Sequence, residues 1–224
     1  MTFRSFAFTL VLSTSFFCLL LSTSQAADSK SSDGDGWISL FDGKSLDGWR
    51  NNEHEEAVRV EDGAIVVGGA ERSHLFYDGP VENHDFKDYE LKLEVMTEPG
   101  SNSGVYVHTQ YQDEGWPSKG YEAQVNNSQE DWRRTGSLYA IEDVRETKAK
   151  DNEWFEYDIT VRGNRITLKV NGETTVDYTE PENVERTADM AGRKLSRGTI
   201  ALQGHDPGSI VRYRNIRIKP LNDE

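Results

Sequence analysis

Cysteine is almost absent from this chain of 224 residues, in which Cys18 is the single cysteine. Cys18 lies within an apolar N-terminal run that is typical of a cleaved targeting signal, so the chain after that signal contains no cysteine. This composition excludes disulfides, a thiol nucleophile and cysteine-based zinc sites from the domain that follows. The domain must therefore obtain its stability from its hydrophobic core.

The N-terminus has the pattern of a secretory signal. Arg4 supplies a positive charge, Phe6 to Leu21 is apolar, and Ser24-Gln25-Ala26 is a small-x-small cleavage site. The apolar run is shorter than the ~20 residues that a membrane-spanning helix requires. We therefore predict a signal peptide over residues 1–26 and an exported protein, either periplasmic or extracellular. An uncleaved N-terminal anchor is the alternative, and a lipoprotein signal fits less well because no small residues precede Cys18.

Positive charge is scarce, with 25 Lys and Arg against 39 Asp and Glu and a net charge of −14. Such a surface repels nucleic acid and anionic lipid, so neither is an expected partner once the signal has been removed. An acidic surface is compatible with neutral substrates such as sugars, but it is not evidence for them. Residues 27–36 are small and polar and predict a flexible leader. A single domain is expected over residues 37–221.

A sustained helical period is also missing, and strand patterns recur instead between Gly, Asn, Asp and Pro residues. Tyr89–Val95 alternates strictly between apolar and polar residues. Phe155–Val161, Ile166–Val170 and Thr174–Tyr178 predict a meander, whose second turn is the hairpin signal Asn171-Gly172. Many short strands with little helix favour a two-sheet sandwich.

The last predicted strand changes its alternation near Arg214-Asn215. Val211 and Tyr213 share one parity, whereas Ile216 and Ile218 share the other. Both pairs should be buried, which requires one extra residue between them. We therefore expect a β-bulge at this point, which changes the direction of the Arg214 side chain. The preceding segment, residues 182–197, has no clear period and is interpreted as a long loop with at most one helical turn.

Three short runs each place two polar side chains on one face of a strand. They are Tyr106-Val107-His108, Glu122-Ala123-Gln124 and Gln203-Gly204-His205. Side chains at i and i+2 point the same way, and the residues between and around them include apolar ones that can face a core. If the strands are neighbours, the polar set forms one patch. An ordinary half-solvated sheet also alternates in this way.

Several motifs of catalysis are missing, including a Gly-rich phosphate loop after a strand and a Gly-x-Ser-x-Gly element. His108, His205 and Glu122 could bind zinc or manganese if they converged, but no local pair of histidines has ligand spacing. No cofactor and no metal are therefore predicted.

Seven sequence blocks in this order resemble the 3-keto-disaccharide hydrolase domain family, long catalogued as a domain of unknown function. The blocks are Trp37–Trp49 (WISLFDGKSLDGW), Val60–Ile65, Asn102–Tyr106, Gly120–Val125, Thr135–Tyr139, Gly198–His205 and Val211–Leu221. The resemblance implies an all-β, concanavalin A-like jelly-roll sandwich of two antiparallel sheets. It also implies action on sugars, including glycosides oxidised to a ketone at C3. His108 and Gln110 differ from the arginine and glutamate that many members carry.

A 3-keto sugar requires different chemistry from an ordinary glycoside, which needs two carboxylates flanking the bond. The ketone acidifies the C2 hydrogen, so one base can remove it and the enolate can expel the C1 substituent. We assign Glu122 as the base and His205 or Tyr139 as the acid or hydrogen-bond donor. The predicted substrate-binding residues are Asn102, Tyr106, His108, Gln124, Gln203 and Arg214, of which Arg214 is expected to polarise the ketone.

Three functions remain open at this stage. The first is an exported hydrolase that cleaves 3-keto-glycosides or disaccharides, by elimination followed by hydration. The second is a carbohydrate-binding sandwich without catalysis, and the third is a structural exported domain that binds other proteins. A carbohydrate is the expected partner of the first two. Release of the C1 substituent from a 3-keto-glucoside distinguishes them.

Overall fold

The computed structural model describes residues 1–2, 32–33 and 35–222. The predicted signal peptide at 1–26, apart from residues 1–2, lies outside the described residues, as does most of the leader. Ser32–Asp33 form a short strand against Trp37 and Ile38. Within the described part of the chain, no helix has the length and apolar character needed to cross a membrane.

Fourteen strands and three short 3-10 segments make up the described fold. The strands are β1 Ser32–Asp33, β2 Trp37–Ser39, β3 Trp49–Asn51, β4 Val58–Glu61, β5 Ala64–Gly68, β6 Ser73–Tyr77, β7 Tyr89–Thr97, β8 Asn102–Thr109, β9 Tyr121–Asn126, β10 Phe155–Arg162, β11 Arg165–Val170, β12 Glu173–Thr179, β13 Thr199–Gly204 and β14 Ile210–Pro220. The 3-10 segments are Glu55–Ala57, Val81–His84 and Ala188–Met190.

The strands form two antiparallel sheets, which confirms the predicted all-β sandwich. The larger sheet has the order β1-β2-β14-β7-β10-β11-β12, and β5 joins it beside β14 with β4 at its outer edge. The smaller sheet has the order β3-β6-β13-β8-β9. The predicted meander is confirmed as β10, β11 and β12, and the loop predicted over 182–197 contains only the 3-10 turn at Ala188–Met190.

The core lies between the two sheets and is built from alternate residues of their strands. In β7 every second side chain, from Tyr89 to Thr97, is buried. From the smaller sheet, Val105, Ala123 and Leu202 face this core. Because successive residues of a strand point to opposite faces, the polar residues between them face the other side of the smaller sheet.

That other face of the smaller sheet is covered as well. Strands β8, β9 and β13 are buried at every position, unlike the alternating strands of the larger sheet. The segments before and after β9 and the long segment before β13 supply the cover, since Trp116, Tyr139 and Arg193 lie over this face. The polar face is therefore the floor of an enclosed site rather than an ordinary wet surface.

Candidate functional site

A cleft of about 210 Å³ opens on the polar face of the smaller sheet. Its floor comes from β8, β9 and β13, and its walls come from the segments that connect the strands. Seven of the nine residues predicted as site residues line it, namely Asn102, Tyr106, Glu122, Gln124, Tyr139, Gln203 and His205. The structure adds Trp116, Asp131 and Arg193 to this lining.

Glu122 is the buried carboxylate of the cleft and is only 5% exposed. It lies opposite Tyr106 in the β8–β9 ladder, and Tyr106 Oη donates a hydrogen bond to Glu122 Oε2 at 2.8 Å. Gln203 Nε2 donates to Glu122 Oε1 at 2.9 Å. Arg193 Nη2 lies 3.8 Å from Glu122 Oε2. The carboxylate is thus held by two neutral donors and one nearby cation.

Burial raises the pKa of Glu122, because desolvation disfavours the charged carboxylate. The charge of Arg193 and the hydrogen bonds from Tyr106 and Gln203 act in the opposite direction and do not fully offset it. A carboxylate with a raised pKa is a stronger base than an ordinary one. The environment therefore suits Glu122 to removing a weakly acidic proton.

Two amide oxygens of the cleft have no hydrogen-bond partner. Gln124 Nε2 donates to Asn102 Oδ1 at 2.7 Å, and Gln203 Nε2 donates to Glu122. The oxygens of the same two side chains, Gln124 Oε1 and Gln203 Oε1, are buried and unpaired. Because buried polar atoms nearly always have partners, these acceptors are suited to bind hydroxyl groups of a ligand.

His205 lies at the rim of the cleft beside Asp206 and Trp116. His205 Nδ1 is 2.6 Å from Asp206 Oδ2, and Ser209 Oγ donates to the same oxygen at 3.0 Å. The His205 ring lies 5.2 Å from the Trp116 ring, centroid to centroid. An acid that binds one ring nitrogen fixes the orientation of the imidazole, as in known acid–base pairs. The second nitrogen, Nε2, is then available for proton transfer.

Tyr139 forms another part of the wall and is joined to Glu122 through the backbone. The Tyr139 amide donates to the Glu122 carbonyl oxygen at 2.9 Å. Burial raises the pKa of Tyr139, so the phenol stays neutral and can donate a hydrogen bond. The guanidinium of Arg133 lies 4.7 Å from the Tyr139 ring centroid and also pairs with Asp131.

Arg193 comes from the loop between β12 and β13, and a network of side chains holds this loop in place. Arg186 Nε donates to the Arg193 carbonyl at 2.9 Å, and Arg186 Nη2 donates to the Tyr121 and Tyr178 hydroxyls. Gly120 N donates to the Gly192 carbonyl at 2.9 Å. The cation beside Glu122 is therefore positioned by contacts to β9 and β12.

His74 is fully buried under the aromatic wall of the cleft. It lies opposite Gln203 in the β6–β13 ladder, and its ring centroid is 5.5 Å from Trp116 and 5.6 Å from Tyr106. Neither ring nitrogen has a hydrogen-bond partner. Burial, together with the positive charge of Arg72, lowers the pKa of His74 to about 3, so the imidazole is neutral.

His108 does not line the cleft, contrary to the prediction from parity. The pairing of β8 with β13 shifts register between Thr199 and Ala201, and His108 adopts a left-handed backbone with φ of 52°. This bulge breaks the alternation that would have aligned His108 with Tyr106. Its ring instead contacts the Lys87 carbonyl, the Ser196 amide and the Tyr89 ring.

Arg214 also lies away from the cleft, although the predicted bulge is confirmed. The ladder of β14 with β7 shifts register between Arg214 and Arg217, and Asn215 has φ of 51°. However, β14 belongs to the larger sheet, on the opposite side of the core. Arg214 Nε donates to Glu94 at 2.7 Å and its guanidinium stacks on Trp154. Its position does not support the predicted contact with a ketone.

Within residues 1–2, 32–33 and 35–222, no group of three or more His, Cys, Asp or Glu side chains is arranged to hold a metal ion. The set considered from the sequence, His108, His205 and Glu122, does not meet, because His108 is outside the cleft that the other two line.

Comparison with known families identifies the fold and the family. The sequence profile of the 3-keto-alpha-glucoside-1,2-lyase-like domain matches residues 36–219. The chain belongs to this family. The match confirms the resemblance seen in the seven blocks and covers nearly all of the described sandwich.

A curated relative is the 3-keto-disaccharide hydrolase of Bacteroides thetaiotaomicron. It is 26% identical over 234 aligned residues, which cover 85% of this chain and 80% of the relative. A crystal structure from Parabacteroides distasonis ATCC 8503, provisionally assigned as a glycosyl hydrolase, superimposes with a TM-score of 0.70 at 22% identity. That alignment covers 84% of this chain and 94% of the other.

Sandwiches of other families share the fold. The carbohydrate-binding module CBM66 from Bacillus subtilis superimposes with a TM-score of 0.54 at 12% identity, covering 77% of this chain and 95% of the module. These likenesses show that the fold is a sandwich of two antiparallel sheets, as the sequence resemblance implied.

Three lining residues escaped the sequence-based prediction. Trp116, Asp131 and Arg193 lie in segments without periodicity, so no parity argument could place them. A tryptophan in a loop after a polar strand, and an arginine in a long loop before a strand with site residues, are weak signals. Only the folded loops bring them to the cleft.

Proposed function

We propose that this chain is an exported enzyme that cleaves 3-keto-glycosides by elimination at C1 and C2, followed by addition of water. Family membership supports the substrate class, as does the 3-keto-disaccharide hydrolase that is its relative. The observation that carries the proposal is Glu122, a buried carboxylate of raised pKa with a cation 3.8 Å away.

The arrangement of carboxylates favours elimination over ordinary hydrolysis. Ordinary glycosidases place two carboxyl groups on either side of the scissile bond. Asp131 is the other carboxylate that lines the cleft, and it is bound to Arg133, whose backbone amide donates to it at 2.9 Å. Glu122 alone therefore combines the burial and the raised pKa of a catalytic base.

In the first step Glu122 takes the proton from C2 of the sugar. The C2–H electron pair becomes the C2–C3 double bond of an enolate, and the negative charge moves to the C3 oxygen. Arg193 is the cation best placed to stabilise that charge, a role that the sequence had assigned to Arg214. Fixed donors and cations aimed at developing charge are a main source of catalysis.

In the second step the enolate reforms the ketone and expels the C1 substituent, leaving a C1–C2 double bond conjugated to the C3 carbonyl. His205, oriented by Asp206, or the neutral Tyr139 protonates the leaving oxygen. Glu122 then releases the C2 proton to solvent, and water adds its hydroxyl to C1 and its proton to C2. The sum of the elimination and this hydration is hydrolysis of the glycosidic bond.

The other lining residues orient the sugar. The unpaired oxygens Gln124 Oε1 and Gln203 Oε1 accept hydrogen bonds from sugar hydroxyls, and Asn102 extends this polar row. Tyr106 fixes the carboxylate of Glu122, and the exposed ring of Trp116 provides an apolar wall for a sugar face.

The test is release of the C1 substituent from a 3-keto-glucoside by the wild type and by Glu122→Gln. The variant keeps the size of the side chain but removes the base, so a loss of about 10²- to 10⁴-fold in turnover is expected. Near-wild-type turnover by the variant contradicts the assignment of Glu122. Saturable binding without release by the wild type identifies a carbohydrate-binding module instead.

Export is a separate part of the proposal and has its own test. Expression of the full chain in a bacterial host, followed by N-terminal sequencing of the product, is expected to give a mature protein that begins at Ala27. A product that retains residues 1–26 contradicts cleavage and indicates an N-terminal anchor.

A further inference from the structure

A second cleft lies on the same face of the smaller sheet, further along the same strands. It has a volume of about 320 Å³. On β13, Gln203 lines the first cleft and Thr199 lines the second. On β8, Tyr106 lines the first cleft and Thr109 lines the second. Two strands thus carry both clefts in the same order.

The separation of the clefts follows from strand geometry. Gln203 and Thr199 are four residues apart on β13, which corresponds to about 13 Å in an extended strand. This distance is longer than one monosaccharide ring. A ligand that places its reacting sugar at Glu122 reaches the second cleft only if it continues for one or more further units.

The lining of the second cleft has the composition of a site for a polyhydroxylated ligand. Tyr111 supplies aromatic surface and packs on the fully buried Phe76, with their rings 5.3 Å apart, while Asn83 and Gln110 supply amides. Binding sites for small molecules generally combine apolar and aromatic walls with a few polar groups that fix orientation. Thr109 Oγ1, which belongs to this lining, is buried and has no hydrogen-bond partner.

Charged groups of both signs surround the second cleft. Among the described residues that line this cleft, Asp78 and Asp85 are carboxylates and none is a lysine or arginine. Asp85 pairs with Arg197 at 2.7 Å, and Asp78 lies 3.5 Å from His84 Nε2. Arg50 lies 3.5 Å from the centroid of the Tyr111 ring, and Lys119 Nζ donates to Gln110 Oε1 at 2.6 Å. Cations therefore contact the lining beside its carboxylates, and charge does not select between neutral and anionic ligands here.

Backbone strain at the rim is a further sign of a functional surface. Glu82, Asn83 and His84 are consecutive and all have positive φ, at 47°, 58° and 49°. None of them is glycine, so each occupies a region that is sparsely populated for its type. Such strain is concentrated at binding and catalytic sites. It holds Asn83 and His84 in the wall of the cleft.

We propose that the second cleft binds the leaving-group side of the substrate, as one or more sugar units attached to C1 of the oxidised sugar. This inference rests on the proposed function, because it takes the reacting sugar to lie at Glu122. It adds a subsite that selects elongated glycosides over those with a small C1 substituent.

The test compares two substrates, methyl 3-keto-glucoside and a trisaccharide whose terminal glucose carries the 3-keto group. The wild type is expected to have the higher kcat/KM for the trisaccharide. Tyr111→Ala removes one aromatic wall and is expected to lower that value by about tenfold while leaving the methyl glycoside unchanged. Tyr111→Phe keeps the ring and serves as the matched control. An equal effect of Tyr111→Ala on both substrates, or no effect on either, overturns the inference.

A binding measurement separates this inference from the proposed function. Calorimetric titration with the unoxidised trisaccharide needs no turnover, and Tyr111→Ala is expected to weaken that binding relative to Tyr111→Phe. If the wild type releases nothing from either 3-keto substrate, the proposed function is wrong. Weakened trisaccharide binding by Tyr111→Ala then still supports the second cleft, whereas unchanged or undetectable binding overturns it.

Discussion

Gly104 lies so close to Glu122 that no larger residue fits beside the carboxylate. A Cβ atom placed on Gly104 would be 2.5 Å from Glu122 Oε1 and 2.8 Å from Glu122 Cγ. Contacts this short do not occur without movement of one group. The absence of a side chain at Gly104 on β8 therefore allows the Glu122 side chain of β9 to lie across the sheet toward Gln203.

Gly104→Ala should consequently displace the carboxylate. We expect kcat/KM for a 3-keto-glucoside to fall by about 10²-fold, because a shift of about 1 Å in a catalytic group has an effect of this size. Gly163→Asn is the control, since nothing lies within 4 Å of a Cβ at that turn and asparagine tolerates its left-handed backbone, where φ is 58°. The interpretation fails if Gly104→Ala retains full activity, or if Gly163→Asn loses as much activity as Gly104→Ala does in folded protein.

Arg193→Gln tests the assignment of the enolate-stabilising cation. Loss of one such group is expected to lower kcat by about 10²- to 10³-fold. The charge of Arg193 also lowers the pKa of Glu122, so its removal should raise that pKa further. The acid limb of the pH profile of kcat/KM is therefore expected to move to higher pH. If Arg193→Gln has the same kcat as the wild type and the acid limb of its pH profile lies at the same pH, Arg193 does not act on Glu122.

Arg214→Ala distinguishes the position of Arg214 in the structure from the ketone-polarising role predicted from the sequence. Arg214 is bound to Glu94 and Trp154 on the larger sheet, so its removal should leave kcat/KM unchanged. A partly exposed ion pair of this kind contributes about 0–1 kcal/mol to the free energy of unfolding. A substantial loss of turnover in a variant of normal stability would restore the ketone-polarising role for Arg214.

His74 gives a prediction for stability against pH. Its pKa is about 3 in the folded chain and near 6.5 when exposed, so the unfolded state binds more protons between these values. The free energy of unfolding must then rise with pH in this window, by up to about 1.4 kcal/mol per pH unit. His74→Leu should reduce this slope, measured by urea unfolding between pH 4 and 7.

The exposed His54 provides the control for that measurement. His54→Asn keeps a residue that tolerates the left-handed backbone at this position, where φ is 55°. It should leave the slope as in the wild type. An unchanged slope in His74→Leu would contradict the unfavourable protonation of a buried imidazole.

The sequence predicts the sheets of this fold well, because their side chains alternate. The alternation of Tyr89–Val95 and the meander that begins at Phe155 reappear in the strands as predicted. The same rule aligned Glu122, Gln124 and Gln203 on one face before their strands were known to be neighbours. Parity succeeds where a strand is regular, since each residue then has a determined face.

Parity fails where pairing shifts. The bulge before Thr109 turns His108 away from Tyr106, and no residue in that stretch marks the shift in advance. At Arg214 the sequence shows the change in alternation, but it does not show that the strand belongs to the larger sheet. Arg193 and Trp116 come from loops whose course depends on contacts such as that of Arg186 with Tyr121. Tertiary contacts of this kind cannot be obtained from local patterns.

The central claim is that a proton leaves C2 during cleavage, and hydrogen exchange at C2 measures this directly. The wild type is allowed to cleave a 3-keto-glucoside in D₂O for a short time, and the released 3-keto sugar is examined by mass spectrometry and NMR. Free 3-keto sugar in the same buffer corrects for spontaneous exchange. Elimination followed by hydration predicts one solvent deuterium at C2 of every product molecule. Product that retains its original hydrogen at C2 would contradict the account.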